Sequence, residues 1–388
     1  MKRALLFACT LLATGLAAQR SAGTLGPAPA PEWDAAGAAA YLDARMDTWF
    51  ANGTKLRTGD TQTACVSCHA GLAYALARPV LRRVLGASEL PPQEARLIDD
   101  ITRRVETYAT HQVLYDFNER RQTESRGTEA VLNALILSSE DAARKVSQPS
   151  ATTEKALARL WEVQRPDGRW DWLEFGLEPW ETTDAEYHGA TFAALAVGTA
   201  PGHRTGAAAT AGIERLRRYL STNYPAQHVY NRTWALLAST RLEGIVTGGQ
   251  REALIGDLLR AQREDGGWSL GAMGPWKWSK TAPPPVKSPG DLDAALLARS
   301  DGYATGLVVY TLHRAGVAAD HAGLRRGLRW LEANQRPIPV GELPGRAWQA
   351  HSLNYDREHG GEKGEPWRRL FMSDTATAFA VLALAEAN

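Results

Sequence analysis

The sequence predicts an all-α protein, a closed (α/α)6 toroid of six helical hairpins, and two observations predict it. Apolar residues recur at i, i+3, i+4 and i+7 along the whole chain, and no stretch sustains the two-residue alternation of a half-buried strand. A longer period lies over this one: an amphipathic helix ends in Gln, a polar turn with Gly follows, then Trp, a loop and a second helix of small apolar residues. With 388 residues, 44% of them apolar and 22% charged, the chain can bury a large core and is not of disordered composition. Its 44 basic and 43 acidic residues are interspersed, so it offers no basic stripe to a phosphate backbone, and nucleic acid is not an expected partner.

Taken in order, Lys2 and Arg3 precede an apolar run over 4–16, and Gly15-Leu16-Ala17 puts small residues where a signal peptidase reads them. Residues 1–18 are therefore expected to be a cleaved export signal and 19–33, rich in Ala, Pro and Gly, a flexible leader, which predicts a periplasmic or secreted protein. No other segment approaches the roughly 20 apolar residues of a membrane span. Residues 34–388 then form a single domain. Helices 35–51 and 66–83 make the first hairpin, 94–110 and 126–138 the second, and 208–221 and 229–240 the fourth. The third, fifth and sixth carry the Gln, Gly and Trp signature and end in inner helices 190–197, 304–312 and 376–384.

The signature stands in Gln164-Arg165-Pro166-Asp167-Gly168-Arg169-Trp170, in Gln262-Arg263-Glu264-Asp265-Gly266-Gly267-Trp268, and in a stretched form from Gln335 through Gly345 to Trp348. These turns resemble the QW motif of squalene and oxidosqualene cyclases, whose relatives include the protein prenyltransferase β subunits; the resemblance covers 150–388. It implies a toroid in which Gln satisfies backbone groups and Trp packs over a helix end. Cyclase and prenyltransferase activities are not expected. The cyclases use an Asp-x-Asp-Asp acid, whereas the nearest string, Asp291-Leu292-Asp293-Ala294, lacks the last Asp. The prenyltransferases hold zinc through Asp, Cys and His, and the cysteines here belong to another motif.

That motif is Cys65-Val66-Ser67-Cys68-His69, which has the spacing of a c-type haem attachment site. Cys65 and Cys68 would bond the two vinyl groups of one porphyrin edge and His69 would be the proximal iron ligand. A redox dithiol or a short disulfide, and a metal site, are the alternatives. Because the sixth hairpin comes only from using 35–83, the motif is expected at the start of the first inner helix, with haem c over one mouth of the ring.

In a closed ring every inner helix starts on the same side. The residues expected to converge there are Arg126 and Glu129, then Asp184, Glu186, Tyr187 and His188, then Arg232, then Asp301 and Tyr303, then Asp374. Helix capping is the competing role for the Asp residues. Ring closure places Met372 nearest the iron as distal ligand, with His111, His351 and His359 as alternatives. Three functions follow. The first is an exported haem protein in electron transfer, or a haem oxidoreductase, with an unknown redox partner. The second is a toroid holding a hydrophobic ligand or a glycan, with the two cysteines as a disulfide. The third is a glycan-active enzyme using carboxylates such as Asp184 and Glu186.

Overall fold

The computed structural model describes residues 33–182, 184–202, 206–276, 294–338, 342–354 and 366–387. The export signal, the leader up to residue 32, the Asp291-Leu292-Asp293 string and His359 lie outside them. Helices alternate between an outer and an inner layer. The outer helices are α1 (Ala35–Asn52), α3 (Pro92–Glu106), α5 (Ala151–Glu162), α7 (Ala207–Asn223), α9 (Gly248–Arg260) and α11 (Ala322–Asn334). The inner helices are α2 (Leu72–Val84), α4 (Glu119–Ala143), α6 (Ala185–Thr199), α8 (Val229–Ser239), α10 (Gly302–Arg314) and α12 (Phe371–Ala387).

Each inner helix packs on the next, and α12 packs back on α2, so the chain is a closed (α/α)6 toroid. Small side chains allow this. Every residue of α6 from Tyr187 to Val197, and of α12 from Phe371 to Leu384, is buried, and Ala is the commonest residue in both runs. Outer helices bury one stripe only, as in α11, where Leu324, Gly327 and Leu331 face inward. The stretch Pro366–Ala387 is long and apolar enough to cross a membrane, which corrects the expectation that no segment beyond the amino terminus qualifies. Its 83% burial is that of an inner helix with neighbours all round. A small antiparallel hairpin, β1 (Lys55–Thr58) and β2 (Thr61–Ala64), also departs from the helical reading, because four-residue strands are too short to register as an alternation.

The three Gln…Gly…Trp turns share one geometry. Gln164 Nε2 donates to Gly168 O inside its own turn and to Gly212 O on the next outer helix, α7, at 3.1 and 3.0 Å. Gln262 repeats this with Gly266 O and Gly323 O of α11, both at 2.8 Å. The Trp indoles reach back to their own outer helices: Trp170 to Leu160 O, Trp268 to Leu258 O and Trp348 to Leu331 O. At the sixth hairpin the clamp closes the ring. Gln335 accepts from Asp34 N and donates to Asp34 O, both at 2.8 Å, which fastens the last turn to the residue capping α1. Gly345 has φ +82 and lies so near α1 that a Cβ there would stand 2.0 Å from Gly37 O.

Gly345→Ala should therefore combine backbone strain with a clash at the closure. The expected loss is about 2 kcal/mol or more, since a strained φ alone costs of order 1–3. Gly59→Ala, at φ +63 with nothing within 4 Å, is the control and should cost distinctly less. Urea unfolding of both variants checks this; equal losses would mean that Gly345 contributes no closure contact.

Candidate functional site

The inner helices begin at one mouth and end at the other. The mouth at their amino ends is closed. The loop after Trp170 crosses it: Leu173 N donates to Thr128 Oγ1 at 2.9 Å, Trp172 Nε1 to Trp180 O at 2.8 Å, and Glu178 N to Asn354 Oδ1 at 2.9 Å. Two inner-helix glycines make room for it. A Cβ at Gly127 would stand 2.2 Å from Asp171 O, and one at Gly189 2.2 Å from the Trp172 ring. The loop thus sets Trp180 over the axis, its ring 6.0 Å from Tyr303 and 5.7 Å from His69.

The Cys65 to His69 segment lies where expected, at the amino end of α2, in a wide turn over Ser67–Gly71. Ser67, at φ +64, accepts from Ala70 N at 3.0 Å and contacts His69 Nδ1 at 3.1 Å. Both thiols are pushed to higher pKa by burial, Cys68 well above the usual range, so neither is an activated thiolate. The His69 ring stacks on Phe371 at 3.8 Å, 25° from parallel, with Trp49 edge-on at 5.3 Å. Met372 shares with His69 a cavity of only about 20 Å³. Iron takes an imidazole through a ring nitrogen, in the plane of the ring, and the cavity that His69 lines, about 20 Å³, is far too small for a porphyrin. These residues do not fit a haem.

The other predicted mouth residues separate into three groups. Several are joints of the scaffold. Asp374 accepts from Arg45 through both oxygens, at 2.7 and 2.8 Å, and from Tyr41 at 2.9 Å, joining α12 to α1. Asp301 caps α10, accepting from Tyr303 N, Ala304 N and Leu270 N, and burial raises its carboxyl to about 6 against those donors. Glu129 binds Arg104 at 2.9 Å and His111 at 3.3 Å. Burial opposes its charge, and the attraction of Arg104 with the hydrogen bond from His111 overcomes that and holds it at about 2.

A second group faces outward or is sealed. Arg126 donates to Tyr108 O, Arg232 to Pro225 O at 2.7 Å, and Tyr187 to Leu220 O at 3.1 Å. His188 is fully buried between Phe192, Tyr230 and Trp234, with neither ring nitrogen hydrogen-bonded, and burial lowers its pKa to about 3. Tyr303 shares a 2.8 Å hydrogen bond with Tyr230 beneath Trp180. His351 is half-buried on the loop after Trp348.

Asp184 and Glu186 stand apart from these, at the start of α6, where Asp184 O accepts from Asn231 at 3.2 Å. Glu186 enters a groove of about 490 Å³ between the first turns of α4 and α6, with Trp172 at its wall. Glu119, Glu124, Asp171 and Glu174 line the same groove with Arg120 and Arg169. Glu124 takes Arg120 and Arg121, each at 2.6 Å; Arg120 also reaches Glu174, and Arg169 reaches Glu186. Burial raises the Glu186 carboxyl pKa and outweighs the pull of Arg169, even though Arg169 is itself stabilised as a cation by its carboxylate partners. Sequence reasoning found Glu186 and missed the rest. The available signal was the acidic first turn of α4 facing the acid-rich string after Trp170.

No family model and no curated protein sequence matches this chain. Among solved structures it is similar to an unsaturated glucuronyl hydrolase from Bacillus sp. GL1, described as responsible for the degradation of glycosaminoglycan. The identity is 11% and the TM-score 0.50, over 88% of this chain and 95% of that one. A structure described as UGL with dGlcA-Glc-Rha-Glc aligns with the same identity, coverage and TM-score. At this identity the likeness establishes the toroid and leaves function to the chain's own residues. The cavity of about 20 Å³ at His69 overturns the haem reading, and the likeness to a glycan-degrading toroid gives that reading no support. Cys65, Cys68, His69 and Met372 do not make a haem c site, and electron transfer and haem oxidoreductase chemistry are withdrawn with it. Among the described residues no three His, Cys, Asp or Glu side chains converge as metal ligands.

Glu129→Gln should destabilise the fold by about 3 kcal/mol, because Arg104 is left buried without its counter-charge. Since the folded pKa of Glu129 is depressed to about 2, its contribution is complete above the ordinary carboxylate range and is lost as pH falls toward 2. Wild-type stability should drop between pH 5 and 2 more steeply than that of the variant. Parallel pH curves would refute the assignment.

Proposed function

We propose that this protein acts on a glycan held in the acidic groove between the first turns of α4 and α6. The observation that carries the reading is the meeting of five carboxylates in one groove, one of them with a raised pKa. The glycan-degrading activity described for the similar toroid supports it. Hydrolysis of a glycosidic bond requires a proton on the leaving oxygen as the C–O bond breaks, and negative charge facing the oxocarbenium-like carbon while water adds. Glu186 is the proton donor, since burial keeps its carboxyl protonated to higher pH than an exposed Glu. Glu124 and Glu174, fixed by Arg120, supply the negative charge and orient the water.

The rest of the molecule frames this site. We propose that residues 1–18 are removed on export to the periplasm or the medium, that 19–33 form a leader, and that 34–388 are one domain. The likeness of the Gln…Gly…Trp clamps to those of squalene cyclases is proposed as a likeness of scaffold, carrying no cyclase chemistry.

Release of reducing ends from glycosaminoglycans and from uronate-containing bacterial oligosaccharides tests the activity. Glu186→Gln should lower kcat by about 100-fold or more while glycan binding and the circular dichroism spectrum persist. Wild-type kcat should fall as pH rises through the raised pKa of Glu186. Binding without cleavage by the wild type would reduce the groove to a lectin site, and absence of both would remove the glycan reading.

A further inference from the structure

A cavity larger than the acidic groove lies at the opposite mouth, where the inner helices end. It has a volume of about 780 Å³ and takes wall residues from all six inner helices. Its depth is apolar: Leu76, Leu135, Leu195, Trp234, Leu237 and Phe379 surround the axis. Below Trp234 and Phe379 it narrows to a pocket of about 10 Å³ ending at Cys68 and Trp180. Its rim has the opposite character. Arg82, Arg83, Lys145, Arg241 and Arg314 stand there against a single carboxylate, Glu386.

Two of these cations are matched, Arg82 by Glu94 at 2.9 Å and Arg314 by Glu386 at 2.6 Å. Arg83 and Lys145 make no ion pair among the described residues and are exposed at the opening. Arg241 stands exposed at the rim beside Arg314, Tyr310 and Glu386, and desolvation together with the neighbouring cation lowers its pKa. The partial negative charge of the inner helices' carboxyl ends offsets part of this cationic rim, and Arg83 and Lys145 remain to meet an anionic head.

We propose that this cavity binds a single-chain anionic amphiphile, a fatty-acid-like carboxylate, with its tail along the apolar axis and its head at Arg83 and Lys145. The dimensions suit one ligand, since an apolar cavity of several hundred Å³, open at one mouth, takes a single chain out of water. The cavity shares no wall residue with the acidic groove, so the two sites are independent.

Titration of the full chain with palmitate below its micelle concentration, followed by calorimetry and native mass spectrometry, tests this. One equivalent should bind saturably, and affinity should rise with chain length until the cavity is filled. Combined Arg83→Ala and Lys145→Ala should weaken palmitate about ten-fold and leave the weaker binding of hexadecanol unchanged. Leu195→Trp should abolish binding by filling the axis; Ala142→Trp, at an exposed wall position, gives the same block without disturbing the core. The proposal is overturned by any of three results: no saturable palmitate binding, binding that both tryptophan variants leave intact, or binding confined to anionic phosphatidylglycerol vesicles. Glycan cleavage needs none of these outcomes, so its success or failure is read separately.

Discussion

The ring depends on one side chain that treats a distant residue as a strand partner. Gln335 satisfies the N–H and the C=O of Asp34 together, across 301 positions of sequence. An α-helix leaves its first N–H groups without partners, and the residue ahead of α1 is where a neighbour must supply them. The same bond brings α12 beside α1 and α2, where Asp374 meets Arg45 and Tyr41, and Thr375 donates to His69 O at 3.0 Å. Gln164 and Gln262 repeat the joint without its closing role, and this is why the repeat is spaced as it is.

Closure also makes the six inner helices parallel, so their dipoles add at the two mouths. The amino ends carry partial positive charge and the carboxyl ends partial negative charge. Side chains follow that polarity. Glu119, Glu186 and Asp374 lie in first turns, while Arg82, Arg83 and Arg314 lie in last turns. The acidic groove and the cationic cavity rim are thus two consequences of one topology. The loop after Trp170 decides which mouth is open along the axis, because Trp180 fills the amino-terminal end and leaves the other unfilled.

The packed interior holds several large aromatic side chains. Trp170, Trp172, Trp234 and Trp348 are all but completely buried, and three of them donate to backbone carbonyls. A buried Trp is worth about 3–5 kcal/mol against Ala, so a few such residues at the turns hold an assembly whose inner helices offer mainly Ala. His188 shows the cost of this packing. It is kept neutral and without a hydrogen bond because the surrounding rings admit neither water nor a partner.

Sequence alone determined the helical class, the six hairpins and the three clamps, because each is set by local periodicity or by a short string whose members touch one another. Gln164 and Gly168 are four residues apart and remain neighbours in space. It also determined that Met372 would come to His69, since closure of a ring fixes which hairpins adjoin. What tertiary structure decided was everything that depends on side-chain direction at the mouths. The motif from Cys65 to His69 reads as a cofactor site in one dimension, but Phe371, 302 positions away, packs against the imidazole, and the cavity left beside it, about 20 Å³, is far too small for a porphyrin. Arg126, Tyr187 and Arg232 sit at the expected ends and point to outer helices, because residues 100° apart on a helix face different layers. The groove around Glu186 and the cavity at the far mouth arise where separate hairpins meet, and no single segment of the sequence contains either of them.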